Sequence, residues 1–309
     1  MIYLIIAGVI FFFGLLPVLI LSSVIYTKLL VRTSKKKWGR ECSIPEDEEY
    51  LRMFNIGMEW DEKYRTRKTP VDIKNGRFHL FGEYFDFGSN KAVIIIAGRM
   101  ESLLYSYYFA EPYRKAGFNV LVIDNRAHGL SSGVINSLGY REYKDILAWG
   151  SFLHGRYGIE SIVLHGICIG SSTALFALTD KNCPDYFSAL VAEGMYTTFG
   201  ESFRNHMIED NHPLFPLAAG TEFYMWAISG ANVKTNGPVK KMPKMQKPIL
   251  FLHSKKDVYS TPENAELLFS VCPAKVKKLV WFEEGIHSRI RINNTEKYDK
   301  VIIDFLGKI

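Results

Sequence analysis

Hydrophobic positions fall into three regimes along the 309-residue chain. From Ile2 to Thr27 no residue is charged, and Ile, Leu, Val and Phe dominate. At ~1.5 Å per residue this run outlasts the ~30 Å hydrocarbon core of a bilayer. It predicts one transmembrane helix over 1–31, in which Gly14 and Pro17 are tolerated. Next, Ser43-Ile-Pro-Glu-Asp-Glu-Glu has the composition of a helix start, with Ser43 as cap, an early proline and acids in the first turn. Leu51, Phe54 and Met58 follow at helical spacing, so a linker helix is expected over about 45–64.

From residue 68 onward short apolar runs alternate with helical stretches. Val71–Ile73, a turn at Asn75-Gly76 and Phe78–Phe87 read as a hairpin. Strands are expected at 92–97, 120–123, 162–165, 189–192, 249–253 and 276–282. Helices are expected at 102–116, 142–156, 169–178, 262–271 and 295–306. Residues 195–247 show no clear period and are expected to be irregular. Continuous apolar runs separated by helices are the mark of parallel strands buried on both faces. The fold class expected is therefore α/β, a mostly parallel sheet with helices on both faces, preceded by one transmembrane helix.

Charge sharpens this picture. Six of the 38 basic residues lie before residue 41 (Lys28, Arg32, Lys35, Lys36, Lys37, Arg40), leaving 32 against 32 acidic residues. A neutral body offers no counterion-displacing face, so nucleic acid is not an expected partner. The basic flank follows the apolar run, so the positive-inside rule puts the C-terminal side in the cytoplasm. The expectation is a single-pass membrane protein that touches lipid through its first helix, with Lys35–Lys37 as a stop signal beside the headgroups. The start has no Lys or Arg and the apolar run is long, which argues against a cleaved signal peptide. A cut near residue 40 is expected to leave a soluble domain. The cysteines Cys42, Cys168, Cys183 and Cys272 form no C-x-x-C pair and no disulfide framework, and reduced thiols fit a cytosolic compartment. No H-E-x-x-H, P-loop or G-x-G-x-x-G occurs, so no metal and no nucleotide cofactor is implied.

The chemistry centres on His165-Gly166-Ile167-Cys168-Ile169-Gly170, between an apolar strand and a helix. That is the context of a nucleophile elbow, G-x-S-x-G, with cysteine for serine. A sulfur there sits at a helix N-terminus, where the dipole favours thiolate. By itself the pentapeptide fits a buried structural cysteine between helix-packing glycines equally well. Three further pieces decide between the two. Asp257 follows a late strand, His287 follows the last strand, and Ala97-Gly98-Arg99-Met100 follows an early one. Nucleophile, acid, histidine is the chain order of α/β-hydrolases. The backbone N–H groups of Arg99 and Ile169 are the candidate oxyanion donors.

On these motifs residues 68–309 resemble the α/β-hydrolase superfamily. Asp124-Asn-Arg-Ala-His128-Gly129-Leu-Ser is similar to its D-x-R-G-H-G-x-S segment, Lys255-Lys-Asp257-Val to its acid loop and Gly285-Ile-His287 to its histidine loop. The anchor and the linker region 32–67 are similar to those of small bacterial membrane-anchored hydrolases. The cysteine elbow is similar to that of dienelactone hydrolases and polyhydroxyalkanoate synthases. Ala97 departs from the histidine that many members place before the oxyanion glycine. The resemblance implies a cap over about 195–247, where Phe199, Phe203, Phe215, Phe223, Tyr224 and Trp226 either line an acyl pocket or pack the cap down. It implies structural roles for His128 and His165, and the place of His253 before the acid loop suggests the same. His206 and His212 fall in the cap. The expected function is hydrolysis of carboxylic esters or thioesters by Cys168, His287 and Asp257, with a small acyl compound as substrate. Acyl transfer by the same triad, or a non-catalytic membrane scaffold of the same fold, are the alternatives.

Overall fold

The computed structural model describes the whole chain except residues 4, 5, 7, 9 and 10. That part of the expected membrane span lies outside the described residues. An eight-stranded sheet runs in the order β1-β2-β4-β3-β5-β6-β7-β8. The strands are β1 (Lys68–Asn75), β2 (Phe78–Phe85), β3 (Lys91–Ile96), β4 (Asn119–Ile123), β5 (Ser161–Ile167), β6 (Phe187–Glu193), β7 (Ile249–Ser254) and β8 (Lys277–Phe282). β1 and β2 are antiparallel, as are β2 and β4; from β4 to β8 every pair is parallel. The hairpin register pairs Asn75 with Phe78, so the turn is Gly76-Arg77, one residue later than the sequence suggests. Gly76, at φ 58°, is the residue that meets its positive-φ demand.

Strand alternation sorts side chains into two cores. In β3, Ala92, Ile94 and Ile96 face the helices Tyr143–Tyr157, Ile169–Leu178 and Pro262–Val271. Val93 and Ile95 face the helix Glu48–Tyr64, the turns of Leu103–Phe109 and the last helix, Thr295–Leu306. The linker helix thus covers one face of the sheet, through the stripe Tyr50, Met53, Gly57 and Trp60. Its cap is Asp47, whose side chain accepts from Tyr50 N; Ser43 Oγ instead donates to Met100 O. The expected helix over 102–116 is a 3₁₀ segment followed by a short α-helix, Glu111–Lys115. Pro112 sits in its first turn, where a missing N–H costs nothing.

A third apolar cluster lies outside both cores and joins the first helix to the cap. The cap is not irregular. It holds the helices Phe199–Glu209 and Leu217–Ser229 and a short turn of helix at Pro238–Lys241. The stretch Phe11–Leu30 is long and apolar enough to cross a membrane, and only 17% of it is buried. The buried part is one stripe near its end: Ser22, Tyr26 and Leu30. Ser22 Oγ donates to Leu217 O (3.3 Å), and the Tyr26 hydroxyl pairs with Ser229 Oγ (2.9 Å). A Cβ on Gly220 would lie 2.2 Å from Ser22 Oγ, so glycine there lets the two helices touch. Lys37 Nζ caps the end of the anchor helix on Thr27 O and Val31 O, while Arg32 reaches Gly129 O and Arg40 pairs with Glu83. Half of the basic flank is thus bonded into the body, and Lys28, Lys35 and Lys36 stay exposed.

Candidate functional site

β5 ends in a sharp turn. Cys168 takes φ 54°, ψ −114°, a conformation that a non-glycine residue adopts only when its surroundings enforce it. The enforcement is visible. A Cβ on Gly166 would lie 2.3 Å from Ser171 N, and one on Gly170 would lie 2.1 Å from Ile96 O. Cys168 N donates to Glu193 O (2.9 Å), and Ser171 Oγ donates to the same carbonyl (2.9 Å). Its side chain is half-buried, packed against the cap cluster, unlike the interior Cys272.

The loops after β7 and β8 bring the other two predicted residues together. Asp257 Oδ1 accepts from Tyr259 N (3.0 Å) and Ser260 N (2.8 Å), which leaves Oδ2 for His287 Nδ1 at 2.6 Å. Among the described residues the opposite ring nitrogen, Nε2, is buried with no hydrogen-bond partner at ordinary distance, and the Cys168 thiol is the group beside it. Burial alone would lower the His287 pKa. The Asp257 carboxylate and a negative charge on the nearby Cys168 outweigh it and hold the pKa well above the usual range. Burial likewise opposes ionisation of Asp257, and His287 overrides it, so the carboxyl lies below its ordinary value.

The candidate oxyanion loop follows β3. Among the described residues, neither Arg99 N nor Ile169 N donates to a protein acceptor. Contacts that hold the loop include Gly98 N to Glu101 Oε2 (3.0 Å), Asn125 Nδ2 to Ala97 O (3.2 Å), His128 Nε2 to Arg99 O, and Ser43 Oγ to Met100 O. Trp38 stacks on His128 at 4.7 Å. Asp124 fixes the adjoining turn by accepting from Leu103 N and Leu130 N, each at 2.8 Å. His165 and His253 are buried too, beside Tyr298 and Ser260 O. Among the described residues no group of three or more His, Cys, Asp or Glu is placed to hold a metal ion.

Two acids escape a reading of the sequence. Glu101 is buried, its pKa raised by burial, and accepts from the hydroxyl of Tyr50 on the linker helix. Glu193 ends β6, is fully buried, and is pushed up to about 7 by burial while it accepts from the Tyr298 hydroxyl. An acid directly after the apolar run 189–192 was the available signal for Glu193. Glu101 carried none, because Tyr50 lies fifty-one residues away in the chain.

A strained elbow at the end of a central parallel strand, with an acid–histidine pair delivered by two later strands, defines the α/β-hydrolase class of fold. Residues 91–215 match the family model described as alpha/beta hydrolase fold. The Bacillus subtilis protein YqkD is 28% identical over 219 residues, 70% of this chain and 71% of its own length. Protein bem46 of Schizosaccharomyces pombe is 29% identical over 203 residues, 63% of this chain and 60% of its own. Among solved structures, the Pyrococcus furiosus esterase Pf2001 superposes with a TM-score of 0.69 at 21% identity, over 80% of this chain and 93% of that one. The chain has the α/β-hydrolase fold, and the stretch that carries the elbow matches that family's model.

Proposed function

We propose that the protein hydrolyses carboxylic esters or thioesters through Cys168, His287 and Asp257 while held at a membrane by its first helix. The observation that carries this reading is the His287 ring: Nδ1 is fixed on Asp257, and Nε2 is buried beside the thiol of a strained elbow, with no other partner among the described residues. A buried polar atom left without a partner costs about 1–3 kcal/mol, so its persistence calls for a role. In the proposed cycle His287 Nε2 takes the Cys168 thiol proton and the sulfur adds to the acyl carbon. The carbonyl oxygen takes the negative charge and faces the N–H groups of Arg99 and Ile169. As the intermediate collapses, the bond to the leaving alkoxide or thiolate breaks and His287 Nε2 gives that group its proton. Water then loses a proton to His287 and adds to the acyl carbon. The carboxylic acid departs, and the sulfur is released. Likeness to an esterase structure supports the reaction class.

The test is turnover of an aryl ester or thioester by the full chain in detergent. Cys168→Ala and His287→Ala should each lower kcat by on the order of a thousandfold or more, with similar losses because the residues act as a unit. A thiol-directed probe should label Cys168 in the wild type and not in Cys168→Ala. Wild-type rates in Cys168→Ala would remove the assignment.

A further inference from the structure

The mechanism does not use a cavity that lies beside the site. It has a volume of about 420 Å³, within the range of about 300–1,000 Å³ that small-ligand sites occupy. One wall is the anchor helix itself, through Leu21, Ile25 and Leu29; the other is the cap, through Phe199, Phe203 and Leu217. Its inner end is flanked by two residues that neighbour Cys168 and His287. Arg99 lines it, donates to Leu29 O (3.2 Å) and interacts with Cys168. His206 also lines it and stacks on Tyr259 (3.6 Å), whose ring meets that of His287 edge-on. His206 is kept neutral by burial, its pKa down at about 3, so this side chain adds no charge near neutral pH; Lys28 and Asp210 also line the cavity.

Its outer end lies among groups suited to lipid. Leu21 and Val24, at the rim, are about half exposed although they belong to the uncharged run. Cap residues Phe215, Phe223 and Trp226 are also exposed. Aromatic side chains of this kind concentrate at the membrane interface. The run Ile2–Thr27 exceeds a ~30 Å hydrocarbon core by about two turns of helix. Those surplus turns form the cavity wall, where an anchored chain meets the headgroups.

From this geometry we infer that the cavity is an acyl-chain site that opens sideways to the bilayer, and that the substrate is a membrane-resident acyl ester or thioester whose chain lies between the anchor helix and the cap. The inference rests on the hydrolase reading above and names its substrate class. A chain passing from bilayer to apolar cavity never crosses water, so long-chain lipid substrates are reached without an extraction cost. For short esters dissolved in water, each added methylene that the cavity accepts raises kcat/KM by about fourfold.

The experiment uses the full chain, in detergent and in phosphatidylcholine vesicles, with aryl esters of acetyl to decanoyl length. The expected result is a rising series in detergent. Ile25→Trp on the helix side and Leu217→Trp on the cap side should each cut the decanoyl-to-acetyl ratio at least tenfold. Because the ratio is read within one preparation, partial loss of folded protein cancels. In vesicles the rate on a long-chain ester should follow its mole fraction in the bilayer, not its bulk concentration. Turnover with a flat chain-length series, with a ratio that neither substitution moves, or with a rate set by bulk concentration would overturn the inference and leave the hydrolase reading standing. Absence of turnover on every ester and of Cys168 labelling would instead overturn both.

Discussion

At Cys168 the choice of sulfur has a kinetic consequence. A thiol has a pKa of ~8.5 and leaves a tetrahedral intermediate more readily than an alkoxide, whose conjugate acid is several units weaker. The adduct therefore reverts unless His287 protonates the departing oxygen or the substrate has a good leaving group. Aryl esters and thioesters have such groups; alkyl esters do not. Cys168→Ser should narrow the gap in kcat/KM between an aryl and an alkyl ester of one acyl chain, even as total activity falls, and unchanged selectivity would show that sulfur does not set it. The same substitution removes a negative charge that raises the His287 pKa. In the serine variant His287 must be neutral to take the hydroxyl proton, so its activity should rise with pH through the His287 pKa, where the wild type loses activity as His287 gives up its proton. Glu193 supplies a second residue-level test. Its folded pKa of about 7 exceeds the unfolded value, so its contribution to stability is intact below about pH 4.5 and fades as pH rises toward 7. Glu193→Gln should match the wild type near pH 4.5 and exceed it at pH 8 by up to about 3 kcal/mol in denaturant unfolding. A difference that does not change with pH would contradict that origin.

Among the elements, residues 22–50 bind the oxyanion loop to the rest of the protein. Leu29 O, Trp38, Ser43 and Tyr50 contact Arg99, His128, Met100 and Glu101 in turn. A cut near residue 40 does not simply free a domain, because it uncovers the cluster that buries Tyr26 and Leu30 and removes the stack on His128. Each large side chain is worth about 1.5–3 kcal/mol when buried, so a chain lacking residues 1–40 should melt on the order of 10 °C below one lacking only 1–20, in the same detergent. Its turnover should fall as well; equal melting and turnover would show the braces to be idle. Periodicity marked the helices 262–271 and 295–306 to the residue because each is apolar on its buried side and bounded by clear breakers, whereas 169–178, buried all round, was placed by its position after the elbow. It failed over 102–116, where seven consecutive buried residues from Leu103 to Phe109 carry no period for a one-faced element to show. It failed in the cap, where the helix Leu217–Ser229 packs on the anchor on one side and leaves Phe223 and Trp226 exposed on another, so apolar residues occur all round. Cys168, Asp257 and His287 were legible from their places after apolar strands. The bracing of the loop was not, because it depends on partners distant in sequence.

At the scale of the whole molecule, the sheet, the cap and the first helix converge on one place. The strands β5, β7 and β8 present Cys168, Asp257 and His287 beyond their C-terminal ends, and the cap and the first helix line the cavity beside them. The full chain should stay with membranes after carbonate extraction. With the basic flank inside, protease added to the outer face of intact cells should leave the domain uncut; cleavage from outside would reverse the orientation. All of this matters to function only if the sulfur carries the acyl group. The most direct measurement is mass spectrometry of the full chain quenched during turnover of a long-chain aryl ester or thioester. The expected spectrum shows one acyl addition on the peptide containing Cys168, absent from Cys168→Ala. Steady turnover with no acyl addition at Cys168, in a preparation where Cys168→Ala turns over equally well, would contradict it.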